Sequence, residues 1–190
     1  MPLGHPAYLK QQVELSLRRL RVDTIDLLQL HRLDPAYTVA DQVGALAELR
    51  EQGKIRHIGL SEVTGGELSE GRLVTPIAAV QNHYNLSARD HEAVLDYSTA
   101  AGIAFIPFFP LATGDLAGPG SGLGDVADEL GVTSSQVSLA WLLHRAANIL
   151  PIPGTTSVAH LEENLRAGRL TLTEEYLPRI SPFGVRHDGE

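Results

Sequence analysis

The sequence predicts an α/β fold: part of a parallel eight-stranded barrel, a partial (β/α)8 barrel, with about five strands each followed by a helix. Three observations carry this. Five short, near-continuous apolar runs stand along the 190 residues, as expected of parallel strands buried on both faces. Helical stretches fall between the runs, and short links between strand and helix imply parallel pairing with right-handed crossovers. Most runs end in a polar or aromatic residue, at the strand end where ligands sit in parallel α/β folds.

The elements follow in order. Tyr8–Leu20 carries Leu9, Val13, Leu17 and Leu20 as a helical stripe. Thr24–Leu30 (TIDLLQL) is the first strand and runs into His31. Val39–Gln52 follows Thr38, an N-cap residue, and stops at Gly53. Ile55–Ser61 is the second strand and Ile77–Gln81 the third. Ser87–Ala101 reads as a helix ending at Gly102. Ile103–Phe108 is the fourth strand. Thr113–Gly124 holds five of the 18 glycines without a G-x-G-x-x-G; it reads either as a flexible loop or as a lid over a ligand. Val132–Ala147 is a helix capped by Thr133 or Ser134. Ile149–Pro153 is the fifth strand, and Ser157–Ala167 the last helix. The expected domain is residues 1–181, an incomplete barrel, with 182–190 a loose tail. A closed barrel needs three more βα units, about 100 further residues.

Composition narrows the function. A hydrophobic fraction of 43% and a charged fraction of 20% fit a globular domain with a core. A net charge of -8 argues against a general binder of nucleic acid or anionic membrane. With no cysteine, thiolate nucleophiles, thiolate metal sites and disulfides are excluded. No run approaches the length of a membrane span and the first residues do not resemble a signal peptide, so a cytoplasmic protein is expected. The eight histidines show no metal-binding spacing, so no metal site is expected.

Chemistry concentrates at the strand ends. His31 there can orient a carbonyl oxygen or shuttle a proton; equally, it can serve as a hydrogen-bonded rim residue. Gln81 offers an amide, suited to recognising another amide. Ser61 and Glu62 end the second strand. Phe108 can stack on a flat ring or pack into the core. Gly154, Thr155 and Thr156 run into a helix start, which makes either an anion site or an ordinary cap at Ser157. Phosphate near the last strands is a recurrent TIM-barrel arrangement.

Taken jointly, SLRRLRVDTIDLLQLHRLD, ALAELREQGKIRHIGLSE, AAVQNHYNL, IPFFPLATGDLAG and ILPIPGTTSVAHLEENL resemble the aldo-keto reductase superfamily in order and spacing. The resemblance implies a TIM barrel that binds NADP(H), with NAD an alternative, and reduces small-molecule aldehydes and ketones to alcohols. It implies a catalytic role for His31. Ser61, Glu62 and Gln81 match the positions around the nicotinamide carboxamide, and Phe108 the residue packed on the nicotinamide ring. Pro110 and Leu111 match the segment over the pyrophosphate. Gly154, Thr155, Thr156, Glu163 and Asn164 match the part that takes adenosine and its 2′-phosphate.

Three departures stand beside the resemblance. The family's catalytic Asp, Tyr and Lys have no match: Tyr8, Tyr37, Tyr84, Tyr97 and Tyr176 are misplaced, as are Lys10 and Lys54. Glu62 stands where many members carry Asn. Thr156, Ser157 and His160 stand where many carry Arg or Lys. The expectation is therefore a truncated reductase whose chain is inactive alone. The alternative is a non-catalytic half-barrel that self-associates or binds a nicotinamide nucleotide. In either case open strand edges predict self-association.

Overall fold

The computed structural model describes residues 3–111 and 121–180. They cluster into two compact units. One runs up to Asn82 and includes Ala93–Phe105; the other combines His83–Glu92 with residues from Ile106 onward.

The first unit is a four-stranded parallel sheet in the order β1-β2-β3-β4. The strands are β1 Ile25–Leu30, β2 Ile55–Ser61, β3 Ile77–Gln81 and β4 Ala104–Phe105. Register is set by Gln29 opposite Gly59, Leu30 opposite Leu60, Ser61 opposite Gln81 and Val80 opposite Phe105. Ile58, Leu60, Val80 and Phe105 are fully buried. β4 is shorter than the apolar run predicts, because Pro107 brings no N–H to the ladder. The fifth expected strand, Ile149–Pro153, is not in this sheet. Pro151 and Pro153 lack donors, and Leu150 and Ile152 are about half exposed.

Helix α1, Pro6–Leu20, starts with Pro at its first position, where a missing N–H costs nothing. It buries Leu9, Val13 and Leu17; Leu20, the last member of the predicted stripe, is exposed. Helix α2, Val39–Glu51, is capped by Thr38, whose hydroxyl accepts the Asp41 N–H at 3.0 Å. Its buried Gln42 clamps the loop that follows His31. Gln42 Oε1 accepts the Asp34 N–H, and Nε2 donates to the carbonyls of Asp34, Tyr37 and Thr38. The Asp34 carboxylate accepts the Gly4 and Ala36 N–H groups, which in that order hold its pKa below the usual value. Helix α3, Gly65–Val74, opens with a reciprocal capping box between Thr64 and Glu67. Helix α4, Glu92–Ala100, starts five residues later than the sequence suggests. The Asn85 side chain has taken the N–H groups of Ser87 and Ala88, so the chain turns there instead of winding.

The second unit is helical. It contains α5 Gly122–Leu130, α6 Ser134–Arg145, α7 Val158–Ala167 and α8 Leu177–Ile180. Thr133 caps α6 in a second capping box with Gln136. Leu123, Val126, Val137 and Leu142 form its core with Trp141. α5 lies so close to α8 that a Cβ on Gly122 would sit 1.9 Å from the Arg179 carbonyl oxygen. Of α7 only Ala167 is buried, while Val158, Leu161 and Leu165 are exposed. The expected loop Thr113–Gly124 lies outside the described residues except for 121–124, which cap and start α5. The expected tail, 182–190, lies outside them too.

Candidate functional site

In the first unit, parallel pairing brings the C-terminal ends of β1, β2 and β3 to one rim. Side chains alternate along a strand, and paired residues share a face. The register therefore places Gln29, Gly59 and Ala79 on one face, and His31, Ser61 and Gln81 two residues further on. His31 is exposed; its carbonyl accepts a hydrogen bond from Arg32 Nη1 at 2.8 Å. The same Nη1 reaches the Ser61 hydroxyl at 3.3 Å. Ser61 is 2% exposed, so this hydroxyl is held rather than hydrated.

Glu62 takes a left-handed backbone, φ 54°, unusual for a residue with a side chain. It is pinned on both sides. Its N–H donates to the Gln81 carbonyl at 3.0 Å. Next to it, fully buried Asn82 accepts from the Val63 N–H at 3.2 Å and donates to the Val63 carbonyl at 2.8 Å. The segments leaving β2 and β3 are thereby locked together, which fixes where Glu62 and Gln81 emerge. The half-buried Gln81 amide has no hydrogen-bond partner among the described residues. It offers two donors and one acceptor, the complement of a carboxamide, so this rim fits a nicotinamide headgroup.

Gln29 is a site-face residue the sequence reading missed. Both amide atoms are buried and unpartnered among the described residues, an expensive state for a polar group. Opposite it, Gly59 leaves the space: a Cβ there would lie 2.1 Å from Gln29 Oε1. Gln29, His31 and Arg32 line a cavity of about 460 Å³ with Leu9, Val13 and Leu46.

In the second unit, Phe108 is partly exposed and pairs with His83 through an isolated parallel bridge. The two rings stack at 5.4 Å with 20° between their planes. Phe109 follows with φ 49° and is 71% exposed as a residue. Pro110 is buried and Leu111 half-buried.

Gly154, Thr155 and Thr156 are exposed, and nothing lies within 4 Å of a Cβ on Gly154. The Thr155 hydroxyl is engaged locally, accepting the Ser157 N–H at 3.1 Å. Ser157 caps α7, its hydroxyl 3.4 Å from the His160 N–H. No acidic residue occupies the first turn of α7. An open glycine, a free-standing Thr156 and an uncontested helix N-terminus suit a phosphate. Glu163 and Asn164 are half-buried on α7, and the Glu163 carbonyl accepts from Gln136 Nε2 at 3.1 Å.

A charged network in the same unit was also missed. Glu92 accepts from the Tyr84 hydroxyl at 2.7 Å, from Arg145 Nε at 2.6 Å and from Arg89 Nε. The Arg89 guanidinium lies 4.8 Å above the Trp141 ring centre. Burial pushes the Glu92 pKa up, but hydrogen bonds from Arg89, Tyr84 and Arg145 outweigh it and bring the carboxyl to about 2. Burial, and then the bond to Glu92, push the fully buried Tyr84 hydroxyl up. Tyr84, Arg89 and Glu92 stand close in the chain, but the sequence pattern gives no sign that Trp141 and Arg145 join them from about 50 residues away. Among the described residues no group of three or more His, Asp or Glu side chains could hold a metal ion. Nor is any helix there long and apolar enough to cross a membrane.

Comparison with known proteins adds to this geometry. The profile of the aldo/keto reductase family matches residues 1–183. The chain is 45% identical over 189 residues to an uncharacterized oxidoreductase of Schizosaccharomyces pombe, covering 100% of this chain and 62% of that protein. It is 44% identical over 186 residues to pyridoxine 4-dehydrogenase of Escherichia coli, covering 95% of this chain and 65% of the relative. The chain thus spans under two thirds of the length of these relatives. A solved aldo/keto reductase from Klebsiella pneumoniae, in complex with NADP and acetate, superposes with a TM-score of 0.80. Its identity to this chain is 28%, over 93% of this chain and 65% of that one.

Proposed function

The chain belongs to the aldo/keto reductase family, and on that premise we propose that it carries part of an NADP(H)-dependent oxidoreductase interconverting small carbonyl compounds and alcohols. The observation that carries the reading is the rim of His31, Ser61, Glu62 and Gln81 at the ends of adjacent parallel strands. Ligands and chemistry collect at such ends. When bound, the nicotinamide exchanges a hydride with the carbonyl carbon.

This chain's own residues have the remaining tasks. Gln81 holds the carboxamide, the Glu62 carboxylate accepts from its NH2, and the buried Ser61 backs the site from its place opposite Gln81. His31 orients the carbonyl oxygen through a ring N–H. In the second unit, Phe108 offers its ring for stacking, and Pro110 and Leu111 cover the pyrophosphate. Gly154, Thr155, Thr156, Glu163 and Asn164 take the adenosine and its phosphates. NADP over NAD is supported by the bound cofactor of the Klebsiella relative.

A polypeptide of these 190 residues alone is expected to be inactive. Proton transfer to the carbonyl oxygen needs a donor, and Tyr84, Tyr97, Lys10 and Lys54 are each already engaged elsewhere. Tyr84 is fully buried with its hydroxyl on Glu92. Tyr97 accepts from Arg72 at 2.6 Å. Lys10 is paired with Glu48 and Lys54 with Glu14.

The test is titration with NADPH and NADH, followed by nicotinamide fluorescence, with turnover of a reactive aldehyde measured in parallel. Losing the hydrogen bonds of Gln81 in Gln81→Leu should weaken NADPH binding about tenfold. An unchanged affinity would remove Gln81 from the site. Turnover by the 190-residue polypeptide would overturn the expected inactivity.

A further inference from the structure

The Phe109 carbonyl accepts a hydrogen bond from Asn85 Nδ2 at 2.8 Å. Asn85 is 5% exposed, and its other amide atom is committed. Oδ1 accepts from the Ser87 N–H, the Ser87 hydroxyl and the Ala88 N–H, each at 2.9 Å. Three donors on one side settle which atom is the oxygen and aim the NH2 at Phe109.

Phe109 needs that hold. Its φ of 49° lies in the left-handed region, costly for a bulky side chain and sustained only where surroundings enforce it. Its ring, largely exposed, gains little burial to offset the cost. The conformation matters for its neighbour. Phe108 immediately precedes it, stacks on His83 and meets the Phe109 ring at 5.5 Å and 63°. Phe109 in turn stands edge-on to His83 at 5.8 Å. The mutual angles of three rings therefore depend on the backbone at 109.

We propose that Asn85 is a positioning residue: by holding Phe109 left-handed it sets the Phe108 ring for stacking on a flat heteroaromatic ring. This rests on reading Phe108 as the ring that stacks on nicotinamide.

Asn85→Asp tests it sharply. The aspartate keeps an acceptor for Ser87 and Ala88, so the turn persists, but it sets an oxygen against the Phe109 carbonyl. Two readouts are taken. The first needs no cofactor: the His83 ring-proton resonances, shifted by the stacked Phe108 ring, should move in Asn85→Asp. If they stay, the proposal is overturned. The second is NADPH affinity, which should fall about tenfold with the lost hydrogen bond. In a Phe109→Gly background, where a left-handed backbone costs nothing, Asn85→Asp should cost about threefold or less. Equal losses in both backgrounds would overturn the proposal, as would an affinity unchanged by Asn85→Asp. Phe108→Leu separates the two readings: if it leaves NADPH affinity unaltered, the stacking role of Phe108 fails, while the His83 resonances still decide whether Asn85 sets that ring. Should Asn85→Asp not fold, Asn85→Ser is read in the same way.

Discussion

Replacing Glu92 by Gln removes one negative charge from between two arginines and a buried phenol, and the structure sets the size of the effect. The carboxyl titrates at about 2 in the folded chain, against 4.5 for an ordinary glutamate. At about 1.4 kcal/mol per pH unit, that gap is about 3 kcal/mol of stability. The side chain is 29% exposed, so water at the rim screens part of it, and about 1.5–3 kcal/mol is the working range. The folded pKa is the depressed one. The contribution is therefore complete above pH 4.5 and is lost as pH falls towards 2. Gln mimics the protonated acid, so the two proteins should differ by about 1.5–3 kcal/mol at pH 7 and converge near pH 2. The assay is urea unfolding from pH 7 to pH 2 followed by the fluorescence of Trp141, the single tryptophan of the chain. That residue carries Arg89 over its ring and so reports on this cluster directly. Parallel stability curves for the two proteins across that range would refute the assignment of the charge.

Other perturbations test the fold around the rim. Gly59→Ala puts a methyl against the Gln29 amide, the tip of a flexible side chain that no hydrogen bond holds, so the amide should swing aside at a cost under about 1 kcal/mol in urea unfolding, and Gln29→Ala in the same chain should remove even that. Thr64→Ala breaks one half of the α3 capping box and should cost about 1 kcal/mol, most of it restored by Thr64→Ser. Gly122→Ala places a Cβ against the Arg179 carbonyl, a backbone atom with little room to yield. Limited proteolysis should then cut in or near α8 sooner than in the parent chain.

The apolar runs reveal β1, β2 and β3 because a strand buried on both faces has little choice of composition. They overstate β4 and the fifth strand for one reason. Pro107, Pro151 and Pro153 lie inside the runs, and a residue without an N–H cannot extend a ladder. Helix α3 is legible in Thr64 and Glu67, the two ends of a capping box, although its glycines weaken the periodic signal. The late start of α4 was not legible. It follows from Asn85 competing for Ser87 and Ala88, which a helical pattern does not register. At the rim, residue types marked His31, Ser61 and Gln81, but not their states. That Ser61 is sealed and Gln81 unpartnered depends on the neighbouring strands. Gln29 and Asn85 stayed hidden because their partners, Gly59 and Phe109, lie far along the chain.

The four strands lie side by side in the order in which they occur in the chain. Each parallel pairing requires a crossover, and here every crossover closes a loop of only roughly 15–25 residues. Within the described sheet, no strand pairs with one from a remote stretch of sequence. During synthesis on a ribosome, each new strand can add to the edge its predecessor has just formed, as soon as the intervening helix has emerged. Growth by accretion keeps only one unsatisfied edge in play at the growing side. A rearranged strand order would leave several open at once and vulnerable to pairing with other nascent chains.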